Sequence, residues 1–475
     1  MSSGALTGGT ELAAIYDVLM RWDPASNEWV PQAAKSLTGN ADNTEWTLTL
    51  RDGVTYSNGD PMVAQDVIDN MVRLQGPGRQ AVRGLLDIVD FANTTAPDDH
   101  TAVFKLKSPW ANFAYLLGDA AGMVVNPKVG AALDSAGQSV IGNDPTGAGI
   151  GAYTVEKWAP GESPFLTLKA RPDYWGGAPC IETLNFLSIP SDETKRDSLR
   201  LGEVDVAFLR TQSIIDEIRD SNEFATQMAL QSAGTVVFIN EGFGNFNPIA
   251  KDVRFRQAVQ AALDPGPISQ RAFGGKLLEQ NGLIHPDSVW YSDGIPEPER
   301  GTDVAKGLVD QLKAEGWDGK IRLICNNAPI ADMPVAEEAA LEAAGMDVDL
   351  TVTDVSKLIA AVTVDKDYDL ACYGINVSDS TVWRQLGFNF RSTSTSNRLG
   401  YASPEMDSAL DALFAAPDHD ATVEAVAQVA EVWAKDIPMA IIGATDEGIA
   451  VREGVTGIQQ TQQTVFLFQD ARVSD

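Results

Sequence analysis

The sequence predicts an α/β protein built as at least two lobes, and three observations lead there. The chain has 475 residues, whereas a single hydrophobic core stops growing beyond roughly 250–300 residues. Its composition, 44% hydrophobic and 21% charged, is that of an ordinary globular protein with no sign of disorder. Beyond Gly301, strand-like and helix-like segments alternate, as they do in βαβ units around a largely parallel sheet.

The elements follow in order. Residues 46–50 alternate apolar with polar, as a half-buried strand does. Asn58-Gly59 is a turn signal, and Asp60-Pro61 predicts a helix N-cap followed by Pro at the first helical position. Val63, Val67, Met71 and Leu74 then make one apolar helix face. A further strand is expected around 101–106. The stretch 147–153 has the glycines of a phosphate-binding loop without its context. Asn143, Asp144 and Pro145 precede it where a strand should, and strand-like Tyr153-Thr154-Val155 follows where a helix should, so it reads as a structural turn.

Past Gly301, Val304, Leu308 and Leu312 mark a helix that stops near Gly316. A strand over 321–325, a helix over 334–344 stopped by Gly345, a strand over 346–352, a helix over 356–362 and a strand over 368–373 complete the alternation. Ligands of such sheets bind beyond the carboxyl ends of the strands, which singles out the loop after Tyr373. Residues 405–435 are helical with a break near Ala416-Pro417. The tail 464–468 reads as a strand that could pair with the first lobe, making that lobe discontinuous in sequence. No repeat of solenoid period is visible.

Charge and missing motifs exclude several functions. A net charge of −31 repels nucleic acid, and no basic stripe overrides it. That acidity reads as a solvated surface and says nothing about the ligand. No stretch approaches the roughly 18–20 apolar residues of a membrane span. Residues 1–9 have neither the basic start nor the apolar core of an export signal. Taken alone, that predicts a cytosolic protein; a chain whose signal had been removed would read the same.

Cys180, Cys325 and Cys372 are far apart and form no CxxC pair, so at least one thiol is unpaired and no disulfide scaffold is expected. His100, His285 and His419 are equally scattered, and neither a metal nor a cofactor is expected. The patterns G-x-S-x-G, H-E-x-x-H and G-x-x-x-x-G-K-[ST] are absent, and Gly274-Gly275-Lys276 lacks the Ser or Thr and the earlier glycine spacing. Asp365, Asp367 and Asp369 read as solvation of a turn before a strand. These absences argue against an enzyme. Trp290, Tyr291, Phe243, Phe246, Tyr373, Trp383, Phe388 and Phe390 concentrate in the second half. They suit either the apolar walls of a small-molecule pocket or ordinary core packing.

At this point ordered blocks carry a family resemblance. Ile15-Tyr16-Asp17-Val18-Leu19 and Val30-Pro31-Gln32-Ala33-Ala34 come first. Trp46-Thr47-Leu48-Thr49-Leu50-Arg51-Asp52-Gly53-Val54, Ser57-Asn58-Gly59-Asp60-Pro61 and Ala64-Gln65-Asp66-Val67 form the most recognisable block. Arg171-Pro172-Asp173-Tyr174-Trp175, Gly202-Glu203-Val204-Asp205, Val253-Arg254-Phe255-Arg256 and Gly400-Tyr401-Ala402-Ser403-Pro404 follow in order. The chain thus resembles the family 5 extracellular solute-binding proteins, the oligopeptide, dipeptide and nickel type.

The resemblance implies a two-lobed periplasmic-binding-protein-like fold, class II and cluster C-like, with mixed sheets and a two-stranded hinge. By analogy the first lobe covers 1–232 with a small subdomain around 17–145, the second lobe 233–441, and 442–475 returns to complete the first. It implies the substrate-binding component of an ABC importer, a monomer outside the cytoplasm, in the periplasm or lipid-anchored on the outer face. Its partners would be a small-molecule ligand and a membrane permease. A solute-sensing surface protein, and behind it a hydrolase on this scaffold, are the alternative readings.

Peptide-binding members commonly place an Asp just after the strand that ends near Tyr373, where it holds an α-amino group. Here the run is Gly374-Ile375-Asn376-Val377-Ser378-Asp379. With Asn376 in that place an ammonium loses a charged partner, so a neutral, anionic or aromatic solute rivals a peptide. The expected ligand contacts are Tyr373, Asn376, Asp379, Trp383 and Arg384, with Phe243 and Asn245 near the second-lobe entrance. Aromatics would supply walls, Asn and Asp orientation, and Arg384 a bidentate carboxylate grip.

Overall fold

The computed structural model describes residues 9–76, 85–135, 148–159, 162–326, 332–462 and 464–474. Residues 1–8 and 143–147, on which the readings of the N-terminus and of the first half of the glycine-rich turn rest, lie outside them. The chain divides into two compact units. Unit 1 comprises Met1–Leu209, Ser221–Met228 and Gly448–Asp475; unit 2 comprises Arg210–Asp220 and Ala229–Glu447. The divisions fall at 228 and 447 rather than 232 and 441, and the helix Gln212–Ser221 groups almost wholly with unit 2. Among the described residues no helix is long and apolar enough to cross a membrane.

Unit 1 is built on an antiparallel four-stranded sheet in the order Ala34–Gly39, Glu45–Leu50, Thr101–Lys105, Thr95–Asp98. Leu48, Leu50, Ala102 and Phe104 alternate into its core. A three-stranded sheet of Tyr153–Trp158, Leu166–Ala170 and Thr183–Phe186 follows the glycine-rich turn. The helix buries Val67, Met71 and Leu74 as expected but starts at Ala64, not after Asp60. Pro61 is held in a bridge to Thr55, and Asp66 supplies the cap, its carboxylate accepting from the Val63 N–H at 3.0 Å. Asp60 instead accepts from Asn58 and Asn126. The tail strand is short, Phe466–Leu467 on Gln459–Gln460, and the Phe466 N–H donates to Thr10 Oγ1 within the same unit.

Unit 2 contains the alternating segment. Lys320–Asn326 pairs in parallel with Asp347–Thr353 on one side and with Leu370–Tyr373 on the other. Helix Met333–Ala343 makes the first crossover, and helix Val355–Ala360 with its continuation Ala361–Asp365 the second. The helix stops sit where the glycines predict: Gly316 and Gly345 have φ of 109° and 94°, left-handed values that side chains resist. On the far side of Leu370–Tyr373 the long strand Ala225–Ile239 pairs antiparallel, Val236 opposite Tyr373 and Ile239 opposite Leu370. The sheet is therefore mixed, with three parallel strands at one side. The 404–436 region is two helices, Pro404–Ala415 and His419–Asp436, broken at Ala416-Pro417.

The acidic run before Leu370 does more than solvate a turn. Asp369 is buried and receives Arg322 Nη2 at 2.8 Å and the Asn247 N–H at 2.8 Å, while Asp367 receives Arg322 Nη1 at 2.6 Å. Arg322 lies on the neighbouring strand, so the two carboxylates tie the amino ends of two strands together. Cys325 and Cys372 form a disulfide, and Cys180 is the exposed free thiol.

Candidate functional site

The antiparallel pairing of Ala225–Ile239 with Leu370–Tyr373 divides the predicted site residues between the two ends of the sheet. Residues that follow Ile239 emerge beside the amino end of the 370 strand. There Asn245 bridges Asp367, donating its amide to Oδ1 at 2.9 Å, and Phe243 lies under Lys366 Nζ at 3.8 Å. Tyr373, Asn376, Asp379, Trp383 and Arg384 follow the carboxyl end. The strand between them spans roughly 13 Å at the usual rise per residue. Phe243 and Asn245 are therefore not brought to the other five.

At the carboxyl end the loop is knitted by hydroxyl groups. Val377 bridges Ser232 through paired backbone bonds of 2.9 and 3.3 Å. Thr381 Oγ1 donates to the Asn376 carbonyl at 2.9 Å, and the Ser378 N–H donates to Thr381 Oγ1 at 3.1 Å. Thr381 then opens the helix Val382–Phe390, which carries Trp383 and Arg384 in its first turn.

These side chains occupy different surroundings. Asp379 accepts from the Ser288 hydroxyl at 2.6 Å, and its carbonyl accepts from Trp290 Nε1 at 2.8 Å. Burial pushes its carboxyl up, while Ser288 and the Val289 N–H pull the other way. Trp383 is buried, edge-to-face on Trp290 at 5.3 Å, and Trp290 in turn lies 5.0 Å from the His419 ring. Arg384 is buried with its guanidinium 5.1 Å from the Phe388 ring centre. Asn376 and Tyr373 are half-buried.

Tyr373 organises a cluster that sequence reasoning missed. Its ring stacks on Phe238 with centroids 4.6 Å apart and planes 20° apart. Arg398 lies over the same ring at 5.3 Å, and its Nη1 donates to the Tyr373 hydroxyl at 3.3 Å. Among the described residues Arg398 has no carboxylate partner. Tyr373 and Arg398 are thus half-buried at the carboxyl end of the parallel strands, with Phe238 fully buried behind the Tyr373 ring, and the guanidinium is the group able to receive an anion. Arg398 sits two residues before the Gly400-Tyr401 block, yet no spacing rule links it to a strand 25 residues upstream.

Comparison with known proteins shows the family and the fold. The family model for bacterial extracellular solute-binding proteins, family 5 (middle), matches residues 28–397. The chain is 23% identical over 449 residues to the probable D,D-dipeptide-binding periplasmic protein DdpA of Escherichia coli, covering 92% of this chain and 83% of that one. Among solved structures it is similar to the oligopeptide-binding protein AppA of Bacillus subtilis in complex with a nonapeptide, with a TM-score of 0.81, 19% identity, and 97% and 93% of the two chains covered. It is similar also to the binding protein AgaA of A. tumefaciens R10 in complex with agropinic acid, with a TM-score of 0.81, 20% identity, and 99% and 94% covered. These likenesses carry the fold, and the family match over most of the sequence carries the lineage: this chain belongs to the family 5 bacterial extracellular solute-binding proteins.

Proposed function

We propose that this chain is the substrate-binding component of an ABC importer and that it captures a small organic solute through a carboxylate, a short peptide being one such solute. The observation that carries the reading is the Arg398 guanidinium, held on the Tyr373 ring with no carboxylate among the described residues to neutralise it. In a chain of net charge −31, a half-buried arginine without an acidic partner is an available counter-ion for a ligand anion. The acid that could have held an ammonium, Asp379, is engaged by Ser288 instead. Asn376, half-buried beside the same loop, supplies orientation through its amide. Trp383 and Asp379 support the loop from beneath.

The names of the similar proteins fit a broad solute class: a D,D-dipeptide for DdpA, a nonapeptide for AppA and agropinic acid for AgaA. A solute bound better by one conformation shifts the population towards it, and that conformation is what a membrane permease would read. The chain would work as a monomer outside the cytoplasm. Light scattering tests the first point, and mass spectrometry of protein recovered from cells tests for a lipid.

A calorimetric and thermal-shift comparison of short peptides, their C-terminal amides, and small aromatic or acyclic carboxylic acids tests the ligand reading. Carboxylates should stabilise the chain by roughly 2.7 kcal/mol at about a hundred times Kd, and amidation should remove most of that. Amides binding as tightly as acids would sink it.

A further inference from the structure

A second chemical site lies on the opposite face of the sheet from Tyr373. The register that puts Ile324 beside Ala371 sets Cys325 beside Cys372 across two neighbouring parallel strands, and the two are joined as a disulfide. Glu337, from the crossover helix Met333–Ala343, lies on top of them. Its Oε2 is 3.5 Å from Cys325 Sγ and in hydrogen-bond contact with Cys372 Sγ. Glu337 is 1% exposed, Cys325 0% and Cys372 8%, so the group is sealed except for a small opening at Cys372. The three could also be taken as metal ligands, since their donor atoms lie within 4.8 Å of one another. The sulfurs, however, are already bonded to each other.

Among the described residues no cation accounts for a carboxyl in that place. The positions sharing its face of the sheet include Val352 and Val237, directly opposite the two cysteines, and Leu323, Leu350, Leu370 and Ile239, all apolar, while Arg322 and Asp369 alternate to the other face. The charged groups on the helices packed against it are Arg254 and Arg256, Arg271, and Asp303, Lys306, Asp310 and Lys313. Glu338 and Glu342 share its own helix, and Lys320, Asp347 and Asp349 lie on the strands below. None of them acts on Glu337: burial alone pushes its carboxyl up, to about 8. The sulfurs are its partners. A disulfide has no proton to donate to a carboxylate, whereas each thiol of the reduced pair has one.

We propose that Cys325, Cys372 and Glu337 form a reversible thiol–disulfide site in which Glu337 exchanges a proton with solvent as the sulfurs change oxidation state. With the disulfide formed, Glu337 is a neutral acid. A dithiol reductant transfers two electrons and two protons to the sulfurs, breaking the S–S bond and becoming a cyclic disulfide. The two new S–H groups then donate to Glu337, which ionises and releases its own proton to solvent. Reduction by dithiothreitol therefore releases one proton per disulfide, and re-oxidation takes one up.

The experiment uses the whole chain with exposed Cys180 first alkylated under native conditions. The reduced fraction is measured by thiol trapping and mass spectrometry at fixed ratios of reduced to oxidised dithiothreitol between pH 6 and 8. The exchange constant should rise close to tenfold from pH 6 to 7 in the native sequence and less steeply towards pH 8, where Glu337 of the oxidised form itself begins to ionise. In Glu337→Gln it should be independent of pH. The proton released by the native chain at pH 7 in weak buffer, read with an indicator dye, should be one per disulfide reduced, and this second measurement needs no variant to fold. A pH-independent constant in the native chain, or no proton release, overturns the proposal. So does a Glu337→Gln chain with the native slope.

Discussion

The hydroxyl of Ser288 donates to the carboxylate of Asp379 at 2.6 Å, and this bond takes up the acid nearest the ligand loop. Asp379 is thereby a support, and its variants should separate folding from binding. Asp379→Ala strands the Ser288 hydroxyl and the Val289 N–H in a mostly buried place, which costs about 1–3 kcal/mol. Asp379→Asn keeps an acceptor and should leave affinity for a carboxylate ligand within about twofold. Urea denaturation and calorimetry on both variants check this. A large loss of affinity in Asp379→Asn with stability intact would make Asp379 a ligand contact after all.

Arg398 should behave in the opposite way. Among the described residues it bridges no acid, so Arg398→Ala removes a ligand partner while leaving the fold nearly as stable. A charge-assisted hydrogen bond is worth about 1.5–3 kcal/mol, so affinity for a carboxylate should fall tenfold or more. Arg398→Lys keeps the charge but not the fork that grips a carboxylate, and should recover only part. Tyr373→Phe removes the hydroxyl that accepts from Arg398 and should cost less than Arg398→Ala. Unchanged affinity in Arg398→Ala would remove the carboxylate reading.

Local chemistry made much of the fold legible. The strands at 320–326 and 347–353 and the helices stopped at Gly316 and Gly345 declare themselves through alternation and through glycine's tolerance of positive φ. What did not declare itself depends on pairing between distant segments. Nothing within 240–247 tells that its strand runs antiparallel to Leu370–Tyr373, and that pairing alone places Asn245 at the far end of the sheet. The link from Tyr373 to Arg398 and the placing of Glu337 over Cys325 and Cys372 are likewise tertiary facts. At Asp60-Pro61 a sound local signal lost to a better one. Asp66 reaches back to the Val63 N–H, and Pro61 is used in a bridge.

Trp383 shows how burial changes a prediction that the sequence alone would make. As an aromatic in a ligand loop it invites the expectation that Trp383→Ala weakens binding and leaves folding alone. The indole is instead 2% exposed and packed on Trp290. Truncation leaves a cavity beside Trp290, and such changes cost about 3–5 kcal/mol. Chemical denaturation should register that loss in full. A variant as stable as the native chain but unable to bind would restore Trp383 to the ligand site.

Glu241 gives the stability of the chain a pH dependence whose sign follows from its surroundings. Its Oε2 lies 3.1 Å from Arg256 Nη1, but that guanidinium also donates to the carbonyls of Asp436 at 2.6 Å and Ala250 at 2.9 Å. Oε1 is buried with no hydrogen-bond donor among the described residues. Burial therefore outweighs the pull of Arg256, nearby Asp436 adds to it, and the carboxyl is pushed up to about 8. An acid whose folded pKa exceeds its unfolded value of about 4.3 contributes fully below the unfolded value. That contribution is lost as pH rises, and the loss is complete above about 8. The slope from one such group is at most about 1.4 kcal/mol per pH unit. Glu337 is shifted in the same direction over the same window, so the native curve carries both groups. Glu241→Gln should flatten the fall between pH 5 and 8 by one group's share without abolishing it. Urea denaturation of the two chains at pH 5, 6.5 and 8 measures the difference, and parallel curves would show that Glu241 is ionised in the folded protein throughout.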